Sequence, residues 1–182
     1  MKIRTSRPVP LLAWAVIAGL SLCLADAADP AKLKVGDKAP VIQGTDQDGK
    51  TINLADLVGK KIVLLYFYPK DETPGCTKEA CGFRDDLEDL KKANVEVIGV
   101  SFDSADSHQK FISKHSLNFP LLADTDGKIA DAYGAKMANK NMDRRVSFLI
   151  GMDGKIAHIT DTGNADTHLA EMKEAVEKLK KS

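Results

Sequence analysis

Residues Lys61 to Tyr68 read Lys-Ile-Val-Leu-Leu-Tyr-Phe-Tyr, a continuous run of apolar, β-branched and aromatic side chains. A strand with one wet face alternates polar and apolar residues. A strand without that alternation must be covered on both faces, which is the habit of a central strand in a sheet clad by helices. Pro69 ends the run, because it cannot donate to a ladder. The chain from Lys32 to Ser182 then switches repeatedly between strand and helix periods. Gly44 to Leu54 predicts a hairpin around Asp48-Gly49, with Thr51 to Leu54 as its return strand. Cys76 to Lys92 predicts a helix, with Ala80, Phe83, Leu87 and Leu90 as its core stripe. Val95 to Phe102 is the next strand, and Ser104 can cap a helix running to about Ser116. Pro120 to Ala123 and Lys128 to Tyr133 predict a short strand and a short helix. Arg145 to Ile150 and Lys155 to Thr160 form a second hairpin around Asp153-Gly154. A last helix over Asp166 to Lys180 buries Leu169, Met172, Val176 and Leu179. The expectation is one α/β domain, a mixed central sheet with flanking helices.

The first 27 residues stand outside this pattern. Lys2, Arg4 and Arg7 make a basic start, and Leu11 to Leu24 is apolar but shorter than the roughly 20 residues a membrane-spanning helix needs. Ala25-Asp26-Ala27 places small residues where a signal peptidase reads them. A signal peptide over residues 1–27 is expected, with the mature domain over 28–182, exported and periplasmic, and no lasting membrane association. The alternative is an uncleaved N-terminal anchor. Cys23 lies within the apolar run after Leu22, where lipid attachment would want a small residue, so it leaves with the segment. Of the 26 basic and 26 acidic residues of the whole chain, the segment removes Lys2, Arg4, Arg7 and Asp26. The remainder carries 23 basic and 25 acidic residues, a formal charge of −2. There is no basic stripe, which excludes a nucleic-acid partner. A monomer is expected.

The chemistry concentrates between the buried strand and the helix after it. In open α/β sheets ligands bind outside the carboxyl ends of strands. Pro74 suits a first helical position, where its missing N–H is no loss, so Thr73 falls at the N-cap and Cys76 in the first turn. There the helix dipole is positive and backbone N–H groups are unpaired, and both favour thiolate over thiol. A thiolate that displaces a leaving group pushes charge onto the departing atom, and donors must await it. The Thr73 hydroxyl and the Cys76 N–H are close in sequence; a cation must come from elsewhere.

The run Pro69 to Asp85, PKDETPGCTKEACGFRD, resembles the active-site segment of the peroxiredoxins, and most closely the Q-type subfamily, also called bacterioferritin comigratory proteins. Pro69, Thr73 and Cys76 match the family's Pro-x-x-x-Thr-x-x-Cys pattern. Cys81 matches the subfamily's second cysteine, five residues on. Arg145 matches the arginine that opens a later strand and reaches the thiolate, with Arg144 as the alternative. Glu79 matches the acid that orients the threonine and arginine. The resemblance extends over about Leu33 to Leu179. It implies a thioredoxin-like fold and reduction of hydrogen peroxide or organic hydroperoxides. It also implies a Cys76–Cys81 disulfide recycled by a thioredoxin-like dithiol protein, with no cofactor and no metal.

Helix geometry bears on Cys81 separately. Five helical residues give a rise of about 7.5 Å and a turn of about 140°, so the two Cα atoms would be roughly 8–9 Å apart. That exceeds the disulfide limit of about 7 Å. The pair bridges only if the first turns unwind once Cys76 is a sulfenic acid, which Gly82 makes easier. The competing readings are a structural disulfide, a disulfide-exchange protein and an exported thioredoxin-like copper-binding protein. Cys-x-x-x-x-Cys is not the Cys-x-x-Cys of disulfide exchange, and a copper site would want an imidazole beside two thiolates. His108 and His115 are expected to edge a packed stripe with Phe111 and Ile112. His158 sits in a strand and His168 in the first turn of the last helix; none has ligand spacing or an assigned role. Asp71 and Glu72 are expected to be solvated, and Met137 to Met142 to form a polar surface loop.

Overall fold

The computed structural model describes residues 33–181. The expected signal segment and Cys23 lie outside the described residues.

Two strands, β1 (Gln43–Thr45) and β2 (Thr51–Asn53), form the expected first hairpin. The return strand stops one residue early. Asn53 caps a short helix, α1 (Leu54–Leu57), by accepting from the Ala55 N–H at 3.0 Å. Asparagine at an N-cap satisfies an otherwise orphaned donor, so it turns the chain out of the strand there.

The main sheet has five strands in the order β5-β4-β3-β6-β7: Leu121–Ala123, Val95–Ser101, Ile62–Phe67, Val146–Ile150 and Ile156–Asp161. It is mixed. The β3–β4 and β4–β5 pairs are parallel, whereas β3–β6 and β6–β7 are antiparallel. The helices α2 (Pro74–Lys92), α3 (Ala105–His115), α4 (Lys128–Tyr133) and α5 (Ala165–Lys180) complete the chain. All six residues of β3 are buried, as its unbroken apolar sequence requires.

Alternation along β3 divides the interior in two. Ile62, Leu64 and Tyr66 face a core shared with Ala80, Phe83 and Leu87 of α2, Phe111 of α3 and Met172 of α5. Val63, Leu65 and Phe67 face a second core with Leu54 of α1 and Ile129 and Tyr133 of α4. In α5, Met172 and Val176 are buried, while Leu169 and Leu179 pack partly exposed against the first core. A Cβ at Gly82 would stand 2.4 Å from the Leu169 Cδ1, so this glycine also lets α2 and α5 approach closely. Residues 137–142 form the expected surface loop, closed by the Met137 N–H donating to the Met142 carbonyl at 2.9 Å.

Register then decides what meets at the head of α2. Phe67, the last residue of β3, pairs with Val146, the first of β6, and Val146 pairs with Asp161, the last of β7. Antiparallel pairing therefore brings Arg145, Thr162 and the start of α5 to the carboxyl end of β3, where α2 begins.

The core is also tight at Gly99 in β4, where a Cβ would lie 2.8 Å from the Tyr66 hydroxyl and 2.5 Å from the Leu121 Cδ2. Tyr66 is fully buried and cannot swing clear. Gly99→Ala is therefore expected to destabilise the fold by about 1–3 kcal/mol, the usual cost of overpacking. Urea unfolding measures this, and an unchanged midpoint would contradict the close approach.

Candidate active site

Helix α2 begins as the sequence predicts, with Thr73 at the N-cap and Pro74 at the first helical position. Thr73 does not cap with its side chain. Its hydroxyl donates to the Lys70 carbonyl at 3.0 Å, and its own carbonyl accepts from the Thr77 N–H at 2.8 Å. Cys76 lies in the first turn, 1% exposed.

The cation sought for the sulfur is Arg145. Its Nη2 donates to the Cys76 Sγ at 3.3 Å, its Nη1 to the Glu79 Oε2, and its Nε to the Gly163 carbonyl at 3.3 Å. Three partners fix the guanidinium plane and leave little rotamer freedom. Gly75 keeps the path open, since a Cβ there would sit 3.1 Å from Nη2. Arg144 points elsewhere, pairing with Asp161 and donating from Nε to the Gly134 carbonyl at 3.1 Å. Geometry thus separates the two neighbouring arginines.

Glu79 is completely buried. Burial pushes its pKa up to about 7, even though Arg145 pulls it down. Burial likewise opposes the charge on Arg145, but Glu79 and the Cys76 sulfur outweigh it and hold the cation in place. The remaining oxygen, Glu79 Oε1, has no hydrogen-bond partner among the described residues. It lies 3.5 Å from the Nδ1 of His168.

Pro69 follows β3 and opens the loop, half-buried. Cys81 is half-buried in the unbroken second turn of α2, and both cysteines are unbonded. The fold therefore gathers Cys76, Glu79 and Arg145, holds Thr73 at the rim, and keeps Cys81 in a separate part of the helix. Among the described residues no group of three or more His, Cys, Asp or Glu side chains is placed to hold a metal ion. No described helix is long and apolar enough to cross a membrane.

Two expectations need correction. Asp71 is not solvated. It is 4% exposed and accepts from the Tyr68 hydroxyl at 2.8 Å and the Ser107 hydroxyl at 2.7 Å, with the His108 Nδ1 at 2.9 Å. Burial works against its charge, but the bonds from His108, Ser107 and Tyr68 prevail and hold its carboxyl below the ordinary value. Nor does His108 edge a stripe: it is wholly buried, with Nε2 3.2 Å from the Leu122 carbonyl. His115 does lie at an edge, its ring 5.1 Å from that of Phe111. Asp71 and His108 together tie the loop that carries Thr73 to α3. Glu72 is exposed as expected and pairs with Lys114 at 2.5 Å.

A buried sulfur held against an arginine at the head of a helix is the equipment of a cysteine that reacts as a thiolate. The AhpC/TSA family model matches residues 35–159. Peroxiredoxin Bcp of Escherichia coli K12 is 45% identical over 142 residues, 75% of this chain and 90% of that protein. Among solved structures, the peroxidoxin BcpB of Mycobacterium tuberculosis superimposes with a TM-score of 0.76 at 30% identity, covering 81% of this chain and 99% of the other. The bacterioferritin comigratory protein of Xanthomonas campestris does so with a TM-score of 0.72 at 27% identity, covering 79% and 99%. The chain belongs to the AhpC/TSA family, within it to the Bcp and Q-type peroxiredoxins, and is a thiol peroxidase of thioredoxin-like fold.

Removing the charge beside the sulfur tests the arrangement. Arg145→Met is expected to slow peroxide attack by roughly 10²–10³, as for loss of one transition-state donor. Arg144→Met should leave the rate within about twofold of wild type, the change a distant surface residue makes. Stopped-flow kinetics of both reduced variants decides it; a loss confined to the Arg144 variant would reverse the assignment.

Proposed function

We propose that the protein reduces hydrogen peroxide and organic hydroperoxides through Cys76, with Cys81 as the resolving thiol and a thioredoxin-like dithiol protein as reductant. The observation that carries this reading is the Arg145 Nη2 donated to the Cys76 Sγ at 3.3 Å in the first turn of α2. The X. campestris relative is described with alkyl peroxide reduction activity, which supports extending the substrates to organic hydroperoxides.

In the first step the Cys76 thiolate attacks one peroxide oxygen. An S–O bond forms as the O–O bond breaks, and the leaving oxygen takes the electron pair. Arg145 and the Cys76 N–H meet that charge, together with the Thr73 hydroxyl once it turns from the Lys70 carbonyl. The leaving oxygen takes a proton and departs as water or alcohol. Glu79 keeps Arg145 in its plane.

In the second step the first turns of α2 unwind, because an intact helix holds the two Cα atoms too far apart for a disulfide. The Cys81 thiol loses its proton and its sulfur attacks the Cys76 sulfenic sulfur; the S–S bond forms as the S–O bond breaks, and the departing hydroxide takes up a proton to leave as water. The dithiol partner then reduces the disulfide by exchange. Both cysteines lie in one helix of one chain, so disulfide formation needs no second copy of it. The basic and apolar start of the sequence supports an exported, periplasmic site of action.

Cys76→Ser should abolish turnover, because a serine hydroxyl has no base here to activate it. Cys81→Ser should consume about one peroxide per protein and then stop as a sulfenic acid. Undiminished dithiol-driven turnover in the Cys81 variant would make this a one-cysteine peroxidase. For the leader, cell fractionation followed by N-terminal sequencing should find a periplasmic protein beginning at Ala28. A cytoplasmic protein that keeps residues 1–27 would overturn the export reading.

A further inference from the structure

His168 is completely buried in the first turn of α5, and its partners fix most of its protons. Its Nε2 lies 3.0 Å from the Thr162 carbonyl, which can only accept, so Nε2 carries a hydrogen. Its Nδ1 lies 2.7 Å from the Ser147 hydroxyl and 3.5 Å from the unpartnered Oε1 of Glu79. With the imidazole neutral, Nδ1 presents a lone pair and the Ser147 hydroxyl donates to it. An ionised Glu79 would then face that lone pair with a bare carboxylate oxygen, two acceptors opposed in a dry site. One added proton, on either atom, removes the conflict.

We propose that Glu79 and His168 hold one proton in common between Oε1 and Nδ1. His168 is thereby a positioning residue that sets how much of the Arg145 charge is left for the Cys76 sulfur and an incoming peroxide. The inference rests on the peroxidase reading only for that last consequence. With the proton in place, the pair is neutral overall and Arg145 balances the thiolate. Without it, Glu79 competes for the guanidinium and the buried cluster of Arg145, Glu79 and the thiolate carries a net negative charge. That arrangement opposes further charge on the leaving oxygen.

The surroundings agree. Burial pushes Glu79 up to about 7 and pushes His168 below its ordinary value, so this dry site disfavours the charged form of each. Besides Arg145 and Cys76, the groups facing the pair are the Tyr66 hydroxyl of β3, Asp161 of β7 and Glu171 of α5. Asp161 is occupied by Arg144, and Glu171 by the Thr160 hydroxyl at 2.6 Å and by His158 at 3.4 Å. The Tyr66 hydroxyl is itself buried without a hydrogen-bond partner among the described residues, so none of the three bonds to Oε1.

Two variants move the shared proton in opposite directions. Ser147→Ala removes the hydroxyl that competes for Nδ1, so the pair should keep its proton to a higher pH. His168→Asn places amide hydrogens beside Oε1, which favours the carboxylate, so Glu79 should ionise at a lower pH. Each shift is expected to be about one pH unit, the size of one hydrogen bond to an ionisable group. Carbon and nitrogen NMR of the reduced protein, without peroxide, reads the Glu79 carboxyl and the His168 ring directly. In wild type the Nδ1 and carboxyl signals should move together in one step while Nε2 stays protonated. Peroxide attack should lose rate on the alkaline side of the same step, and that limb should move up in Ser147→Ala and down in His168→Asn. Equal Glu79 titrations in all three proteins, or shifts in the same direction, would overturn the proposal and leave His168 a packing residue. The opposed Glu79 shifts in a protein that does not consume peroxide would instead count against the peroxidase reading and leave the shared proton standing.

Discussion

The structure depends on keeping one charge in a dry place. A sulfur that is 1% exposed gains nothing from water, and an unpaired buried anion is too costly to persist. Arg145 resolves this with a direct contact, and Glu79 makes the contact reliable by occupying the other arm of the guanidinium. Glu79 is buried in its turn and half-satisfied, so the demand for partners passes outward to His168, Ser147 and Thr162. The site is thus a chain of polar groups threaded through the first core, in which each member answers for the one before it.

The sheet supplies the means. Parallel strands alone would place only helix N-termini and loops at the carboxyl end of β3. The antiparallel pair β6–β7 reverses that, delivering Arg145 at the start of one strand and Thr162 just beyond the end of the next. The loop carrying Thr73 is anchored from the other side through Asp71 and His108. The head of α2 is therefore clamped between α3 and α5 while the cysteines are reduced, and the same helix must open for Cys81 to reach Cys76. Gly82 serves both states, admitting Leu169 in the packed helix and lowering the cost of opening it.

Much of this was legible in the residues. The unbroken apolar run of β3, the Thr73-Pro74 helix start and the core stripe of α2 each follow from a local rule, and they place Cys76 without any tertiary information. The choice of Arg145 over Arg144 came from resemblance, since periodicity gives two adjacent arginines equal standing; strand register settles it. The sequence does not show the roles of Asp71, His108 and His168, for one reason. A polar residue in a loop or at a stripe edge looks solvated until its partners are known, and the deciding ones are on other elements: Ser107 and His108 for Asp71, Leu122 for His108, and Ser147 for His168. The short helix α1 was missed because Asn53 reads equally well as a strand end or as a cap.

The central claim is that the sulfur held by Arg145 is the one that reacts. Rapid mixing of the reduced wild-type protein with one equivalent of hydrogen peroxide, quenched over time with a sulfenic-acid trap and mapped by mass spectrometry, tests it most directly. The account predicts a label on Cys76 that rises first and then gives way to a Cys76–Cys81 disulfide. A label that appears first on Cys81, or a disulfide that forms with no sulfenic acid on Cys76, would contradict it.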